Sequence, residues 1–247
     1  MPLRKTLIYP AGTTAACRFA AARLEALDVP LIDHPAPEVT HLLLDVPTRD
    51  TEEAIKLLRM LPQDTAVLGG LLTEPLIRGR EYRDLLQDED YLAQNAAITA
   101  HCALTLAAQA LEVTFPEAPA LILGWGRIGK CLARMLRRLD CPVTVAARKN
   151  EDLAMLRALG YDAADFSRVQ ELLPRTRLLI NTVPQPVLSA DALSRCPGVM
   201  LDLASVRGLE GPQVQWARGL PGKMAPESSG RLIAGTTLAY LKKGAWI

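Results

Sequence analysis

The sequence has almost no net charge and no long hydrophobic run. Its 247 residues carry a formal net charge of +1, so it lacks both the basic surface typical of nucleic-acid binding and an acidic tail. No apolar run approaches membrane-spanning length, and the apolar stretch after the N-terminal charges is too short for a signal-peptide core. These absences predict a cytoplasmic protein with no nucleic-acid or membrane partner.

Cysteine and histidine are also scarce, and neither forms a pattern. The cysteines are five in number, with no C-x-x-C pair, which favours reduced, mostly buried thiols over a disulfide framework: Cys17, Cys102, Cys131, Cys141 and Cys196. The three histidines (His34, His41, His101) lack metal-ligand spacing. No Ser-His-Asp pattern, nucleophile elbow or zinc motif is present. We therefore predict no metal site.

A glycine-rich segment follows a buried apolar run at residues 120–123. Gly124, Gly126 and Gly129 have the G-x-G-x-x-G spacing, followed by a helical pattern and a second strand at 142–147. The first glycine allows a tight turn, the second lets a pyrophosphate approach the backbone, and the third lets the helix pack close to the strand. The helix N-terminus then offers N–H groups and a partial positive charge to the phosphates. This order predicts a Rossmann dinucleotide-binding domain rather than a merely structural glycine turn.

Two cations follow the second strand and indicate which cofactor binds. NAD-binding folds usually place Asp or Glu there to bond the ribose 2′-OH, whereas this chain has Ala147, Arg148 and Lys149. The planar fork of arginine matches the oxygens of a 2′-phosphate. The alternative is an ordinary solvated loop. We favour NADP(H) as the cofactor, with NAD(H) second.

The rest of the chain predicts an α/β fold in which a smaller parallel α/β domain precedes the Rossmann domain. Strands are predicted at 6–9, 29–32, 41–46, 65–68, 178–184 and 199–204. Helices are predicted at 14–27, 51–61 (with Thr51 as N-cap and Glu53 in the first turn), 88–111, 150–159 and 228–243. We assign 1–90 to a substrate-side domain, 91–111 to a linking helix and 112–225 to the dinucleotide-binding domain. Residues 226–247 form a C-terminal helix that can cross back to the first domain.

The ends of two later strands complete the predicted cofactor site, because open α/β sheets bind ligands at the carboxyl ends of their strands. The segment from Thr182 to Pro184 should lie beside the nicotinamide half, with a simple turn as the alternative. Asp202 to Ser205 could hold the nicotinamide ribose or carboxamide. The predicted cofactor-binding residues are Gly124, Trp125, Gly126, Arg127, Ile128, Gly129, Ala147, Arg148, Lys149, Thr182, Val183, Pro184 and Ser205.

These strand ends resemble the A-subunit family of dipicolinate synthase at segments 123–129, 145–148, 180–184, 201–205 and 220–226. The resemblance extends into 95–101 of the linking helix and is weak over 1–90. The family is similar in architecture to two-domain 2-hydroxyacid dehydrogenases. The resemblance implies a nicotinamide-linked oxidation of a dihydropyridine dicarboxylate to the aromatic dicarboxylate, aided by a second, flavoprotein-like subunit.

The linking helix departs from that family at His101, where the family usually carries a glutamate. Imidazole titrates near neutral pH, so His101 is the candidate catalytic proton shuttle, and we expect it to line the interdomain cleft. The alternative is a packed or surface histidine. The candidate substrate residues are Asn95, Thr99, Arg207 and Lys223, the last in a glycine-proline loop. Arg78 or Arg80 are further cations that could pair with a dicarboxylate.

The preferred function is an NADP-dependent oxidoreductase acting on a dihydropyridine dicarboxylate or a similar small carboxylate. Its candidate partners are a second copy of the chain and the flavoprotein-like subunit. One alternative is a dehydrogenase of a different small carboxylate on the same scaffold. Another is an NADP-binding regulatory or partner subunit without its own catalysis. The replacement of the family's usual glutamate by His101 favours this second alternative.

Overall fold

The computed structural model describes residues 6–243, which fold into two units. One unit comprises 6–95 with 221–243, and the other comprises 96–220. The strands are β1 (Ile8–Pro10), β2 (His41–Leu43), β3 (Ala66–Gly69), β4 (Tyr82–Asp84), β5 (Ala120–Leu123), β6 (Val143–Ala147), β7 (Asp162–Asp165), β8 (Leu178–Asn181), β9 (Val199–Asp202) and β10 (Gln215–Trp216). The helices are α1 (Ala15–Glu25), α2 (Thr51–Arg59), α3 (Glu74–Ile77), α4 (Glu89–Ala110), α5 (Arg127–Arg138), α6 (Asn150–Ala158), α7 (Val169–Leu172), α8 (Ala190–Leu193), α9 (Leu220–Met224) and α10 (Pro226–Lys243).

The first unit is built on a parallel sheet in the order β1-β2-β3-β4. Leu42 and Val67 of the sheet pack with Leu58 of α2 and Leu76 of α3 in its core. The strand predicted at 29–32 is wrong, because this segment forms a single parallel bridge from Leu31 to Ile8. Pro30 has no N–H to donate and a fixed φ angle, which limits the pairing to that bridge.

The N-terminus of α2 also differs from the prediction. Asp50, not Thr51, is the N-cap: its carboxylate accepts from the backbone N–H of Glu53 at 3.0 Å. Thr51 is the first helical residue. An acidic cap before an acidic first turn suits the positive end of the helix, so Asp50 takes the place that sequence reasoning gave to its neighbour.

Helix α10 packs against α1 within the first unit, and Gly230 lies at the contact. A Cβ atom at Gly230 would lie 2.6 Å from the carbonyl oxygen of Ala16 and 2.8 Å from the backbone nitrogen of Ala20. Backbone atoms of a packed helix have little freedom to move aside. The absence of a side chain at Gly230 therefore sets how closely these two helices approach.

We expect Gly230→Ala to destabilise the protein by about 2–3 kcal/mol, because the added methyl group overpacks the helix contact. The matched control is Gly235→Ala on the same helix, where a Cβ would meet nothing within 4 Å. That change should stabilise by about 0.5–1 kcal/mol, since alanine is the better helix former. Urea unfolding measures both. Midpoints that move in the same direction would contradict the assignment of Gly230 as the contact.

The second unit is a parallel sheet in the order β10-β9-β8-β5-β6-β7, which is the Rossmann order. The predicted α/β class and Rossmann domain are confirmed. The neighbours β5 and β8 are distant in sequence, so the winding of the chain reverses between them. Their carboxyl ends form the topological switch point of the sheet. Ligands of open α/β sheets bind in the crevice at this point.

Burial explains why the central strands were recognisable in the sequence. Every residue of β5 and β8 is buried, as is typical of parallel strands covered by helices on both faces. Leu121 and Leu123 pack with Leu173 and Leu193 on one face. The edge strands β7 and β10 were not predicted, because β7 has no large apolar residue and β10 has only two residues.

The cysteines are free thiols, and all except Cys131 are buried. Burial raises the pKa of Cys17 to about 12 and that of Cys141 to about 11. Such thiols stay protonated near neutral pH and are poor nucleophiles. Within residues 6–243, no group of three or more His, Cys, Asp and Glu side chains is arranged to hold a metal ion. In the same residues no helix is long and apolar enough to cross a membrane.

Candidate cofactor site

The geometry of the turn between β5 and α5 requires glycine at two of its three glycine positions. Gly124 has a φ of +102°, and a Cβ there would lie 2.6 Å from the Thr182 hydroxyl oxygen. A Cβ at Gly129 would collide with the carbonyl oxygen of Gly124. Packing inside the turn thus requires glycine at both positions.

Gly126 is different, because a Cβ atom there would meet nothing within 4 Å. It is the N-cap of α5, with no side-chain cap and no acidic residue in the first turn. The start of α5 therefore keeps its N–H groups and the positive end of the helix dipole beside open space. A phosphate fits such a cradle, whereas a side chain at this position would fill it.

Thr182 joins the two strands at the switch point. Its hydroxyl donates to the carbonyl oxygen of Leu123 at 2.9 Å, and its backbone N–H donates to the same oxygen at 2.9 Å. Val183 is half-buried and Pro184 is exposed. The Thr182 hydroxyl proton is thereby committed to the scaffold, and its main effect is to fix the edge of the crevice.

A buried pair, Asn181 and Asp202, organises the next two strand ends. Both side chains are 0% exposed, and the Asn181 amide donates to Asp202 at 2.9 Å. The other acceptor positions of Asp202 receive the backbone N–H groups of Ala204, Gly208 and Leu209 at 3.0, 2.7 and 2.9 Å. These four bonds occupy the acceptor capacity of a carboxylate. Asp202 therefore holds the loop at 203–209, and its carboxylate keeps no acceptor position for the ribose or carboxamide contact that the sequence predicted.

The loop that Asp202 holds carries two predicted residues. Ser205 is exposed on it. The Arg207 guanidinium donates to the carbonyl oxygens of Leu209 at 3.1 Å and Gly211 at 2.8 Å. Arg207 therefore braces its own loop as well as presenting a positive charge there.

Arg148 has two neighbours that sequence reasoning missed. Ala147 is buried at the end of β6, while Arg148 and Lys149 are exposed. The guanidinium carbon of Arg148 lies 4.9 Å from the ring centroid of Phe166. The Gln185 side-chain amide faces both terminal nitrogens of Arg148, which only donate, so we assign its oxygen to that side as the acceptor of both. No local pattern links these residues, because they follow three different strands.

The remaining cofactor candidates lie around the turn itself. The Trp125 ring contacts the Tyr161 ring in an edge geometry, with 5.7 Å between centroids. The Lys130 ammonium lies 5.9 Å from the Trp125 ring centroid. Arg127 is exposed and Ile128 is half-buried in the first turn of α5.

The substrate candidates are divided between the two units. On α4, Asn95 is half-buried, Thr99 is buried and His101 is exposed. Lys223 is exposed in the first unit, but the predicted glycine-proline loop around it is wrong: 220–224 forms the short helix α9. Pro221 is compatible with a helical first turn, which needs no N–H from it. The grouping of these residues around one substrate, and the place of His101 in a cleft, stay predictions.

The two further arginines considered as substrate ligands have local partners. The Arg80 guanidinium donates to the carbonyl oxygens of Pro62 at 2.6 Å and Leu58 at 3.0 Å, tying the end of α2 to the following turn. Arg78 forms an exposed ion pair with Glu74 at 3.5 Å. Arg80 is therefore a structural residue.

The sequence and the fold of the chain are both similar to those of known proteins. No established family model matches the sequence. The chain is 29% identical over 165 residues to the A subunit of dipicolinate synthase from Bacillus subtilis (strain 168). The crystal structure of the dipicolinate synthase A subunit from Bacillus halodurans superposes with a TM-score of 0.82 at 23% identity, covering 98% of this chain and 99% of that one. The resemblance to the A-subunit family of dipicolinate synthase is confirmed.

The extent of this similarity differs between sequence and fold. The sequence match with the dipicolinate synthase protein covers 63% of this chain and spans just over half, 56%, of that relative's length. The NAD-complexed structure of a D-isomer specific 2-hydroxyacid dehydrogenase from Lactobacillus delbrueckii ssp. bulgaricus has a TM-score of 0.57 at 10% identity, covering 97% of this chain and 98% of that one. The predicted architectural relation to 2-hydroxyacid dehydrogenases is thus confirmed for the fold.

Proposed function

We propose that the second unit binds a nicotinamide dinucleotide and that the chain uses it to oxidise a small carboxylate. The observation that carries this proposal is the turn at 124–129. It stands at the switch point of a Rossmann sheet, with Gly126 open to space and the start of α5 without a side-chain cap. Both features favour a pyrophosphate at this position.

The orientation of the cofactor follows from the strand order. The adenosine ribose would lie at the end of β6, near Arg148 and Lys149, and the nicotinamide half towards the ends of β8 and β9. When bound, the cofactor supplies a hydride acceptor. Thr182 shapes the crevice edge, and Asp202 holds the loop that carries Ser205, so these residues orient what binds between them.

The charges at the end of β6 support NADP(H) over NAD(H). Arg148 and Lys149 are exposed cations, and no acidic residue separates β6 from α6. A 2′-phosphate would find charge-assisted donors there, and a carboxylate that would bind a 2′-OH is missing from that connection.

The substrate class and partners rest on the relatives. We propose a dihydropyridine dicarboxylate or a similar small carboxylate, with Arg207 and Lys223 as cations for its carboxylates and His101 as proton carrier. Asn95 and Thr99 would contact the substrate from α4. A second copy of this chain and a flavoprotein-like second subunit are the proposed partners. The subunit designation of the dipicolinate synthase relatives supports an assembly.

The test is a titration of the parent protein and Arg148→Ala with NADPH and NADH. We expect the parent to prefer NADPH, and Arg148→Ala to weaken NADPH binding by about 10-fold to 100-fold through loss of charge-assisted bonds. NADH affinity should not fall. Arg138→Ala, an exposed arginine at the end of α5, is the control and should change neither affinity. Equal affinities of the parent for the two cofactors would refute the NADP assignment, and binding of neither would refute the proposed function.

A further inference from the structure

The contact between Arg148 and Gln185 crosses the end of strand β5. Strand β5 pairs with β6 on one side and with β8 on the other. Arg148 is the first residue after β6, and Gln185 lies four residues beyond the end of β8. Because their side chains meet, the contact passes over the carboxyl end of β5, where the glycine turn begins. It therefore lies across the crevice of the switch point.

Arg148 is also held from the β7 side of the sheet. Phe166 follows β7 directly, and its ring packs against the core of the second unit. The guanidinium lies over this ring at 4.9 Å, a distance at which a cation and an aromatic face attract each other. The ring supports the guanidinium on one side while the Gln185 amide holds its terminal nitrogens on the other.

Gln185 has a fixed position because its backbone belongs to the loop network of Asp202. Its N–H donates to the carbonyl oxygen of Val183 at 2.9 Å. A Cβ at Gly208 would lie 2.7 Å from the carbonyl oxygen of Gln185, so the two loops are in close contact. The N–H of Gly208 is in turn bound to Asp202 at 2.7 Å. The acceptor that faces Arg148 thus stands on a braced segment.

We propose that Arg148 and Gln185 form a strap across the cofactor crevice and that this strap opposes the binding of a dinucleotide until it is parted. This inference rests on the proposed function. A dinucleotide whose pyrophosphate lies over the end of β5, with its adenosine ribose at the end of β6, must part the two side chains. The 2′-phosphate of NADP then gives the guanidinium a bidentate anionic acceptor in place of the neutral amide oxygen. The 2′-hydroxyl of NAD offers a weaker hydrogen bond than the amide contact that was broken. Gln185 therefore opposes the entry of either cofactor, and the contact of Arg148 with a 2′-phosphate is what offsets this cost.

The experiment compares Gln185→Met with the parent by fluorescence titration of NADPH and NADH. Methionine keeps the length of the side chain and removes the amide acceptor. We expect the Kd values for NADH and for NADPH both to fall by about five- to ten-fold, the equivalent of one hydrogen bond of ordinary net strength, because either cofactor must part the strap. Gln109→Met is the matched control. Gln109 is exposed in the last turn of α4, which ends beside the first residue of β9 and so lies at the amino ends of the strands. The Gln109→Met substitution should change neither affinity.

A double-mutant cycle separates the strap from a general loosening of the loop. In an Arg148→Ala background, Gln185→Met should leave NADH affinity unchanged, because the contact it removes is already gone. Gln185→Glu keeps an acceptor and adds a charge, so it should weaken NADH binding several-fold. Unchanged Kd values for both cofactors in Gln185→Met would overturn the proposal, and so would an equal effect of that change in both backgrounds. If Gln185→Met has a clearly lower melting temperature than the parent, Gln185→Glu takes its place as the test. An NADH affinity of Gln185→Glu equal to that of the parent would then refute the strap.

The proposed function and the strap are judged by different comparisons. The parent and Arg148→Ala alone decide whether a nicotinamide dinucleotide binds and whether the 2′-phosphate is preferred. The strap is judged by the change that Gln185→Met makes relative to the parent. NADPH preference in the parent, combined with no effect at Gln185, would leave the proposed function standing and the strap refuted.

Discussion

Gly126→Val should fold normally and lose more than about 100-fold in affinity for NADPH, because the helix N-terminal bonds and a charge-assisted contact are lost together. No atom lies within 4 Å of the position that its Cβ would take, and its backbone is extended with φ −79°, which valine adopts easily. The branched side chain would fill the space in front of α5 that a phosphate needs. NADPH fluorescence titration gives the affinity, and thermal melting gives the state of the fold.

Gly129→Val is the contrasting variant in the same turn. Its Cβ would strike the carbonyl oxygen of Gly124, so we expect loss of stability as well as of binding. Gly126→Val would thus separate binding from folding where Gly129→Val does not. Retained NADPH binding by a folded Gly126→Val protein would mean that the pyrophosphate does not lie at this turn.

Asp202→Ala is expected to destabilise the second unit by about 3–5 kcal/mol, because it leaves buried N–H donors without acceptors. Four donors lose their partner: the Asn181 amide and the backbone N–H groups of Ala204, Gly208 and Leu209. In a chain of this size each kcal/mol lowers the melting temperature by about 2–4 °C, so the shift should be about 10 °C.

Two further variants sharpen the Asp202 test. Asp202→Asn keeps the shape but turns one acceptor into a donor that faces other donors, so it should also destabilise. Asp162→Ala removes a carboxylate that is exposed on the edge strand β7 and should cost less than about 0.5 kcal/mol. Differential scanning calorimetry compares the three. A melting shift for Asp202→Ala no larger than that of Asp162→Ala would show that the loop does not depend on this carboxylate.

The sequence predicted the strands, turns and helices whose formation depends on residues close together along the chain. The apolar runs of β5 and β8, the glycine spacing and the long helix α4 are local signals. Strand β5 and helix α4 match their predicted bounds to within one residue, whereas β8 begins as predicted but ends three residues early, at Asn181. The N-cap of α2 was wrongly predicted at Thr51. The neighbouring residue Asp50 is an equally good cap by residue type, and it is Asp50 that accepts from the Glu53 N–H.

What escaped prediction depends on residues that meet only in the folded chain. Asp202 was correctly placed at a strand end, but its role follows from N–H groups on a loop whose course no pattern revealed. Gln185 belongs to no sequence motif, and its contact with Arg148 exists because the strand order of the sheet brings the two residues together. Strand order is a tertiary property, so residues that face each other across it have no signature in spacing.

The open position at Gly126 has a consequence for how this chain would change under mutation. Gly124 and Gly129 are kept by the geometry of the turn, so a folded descendant retains them whether or not it binds anything. Gly126 has no such protection, and replacing it would even lower the entropy of the unfolded chain, a gain of about 0.4–1 kcal/mol. In a lineage released from ligand binding, drift should therefore remove this glycine first. A glycine at position 126 is therefore what we expect of a chain that still binds a phosphate at this turn.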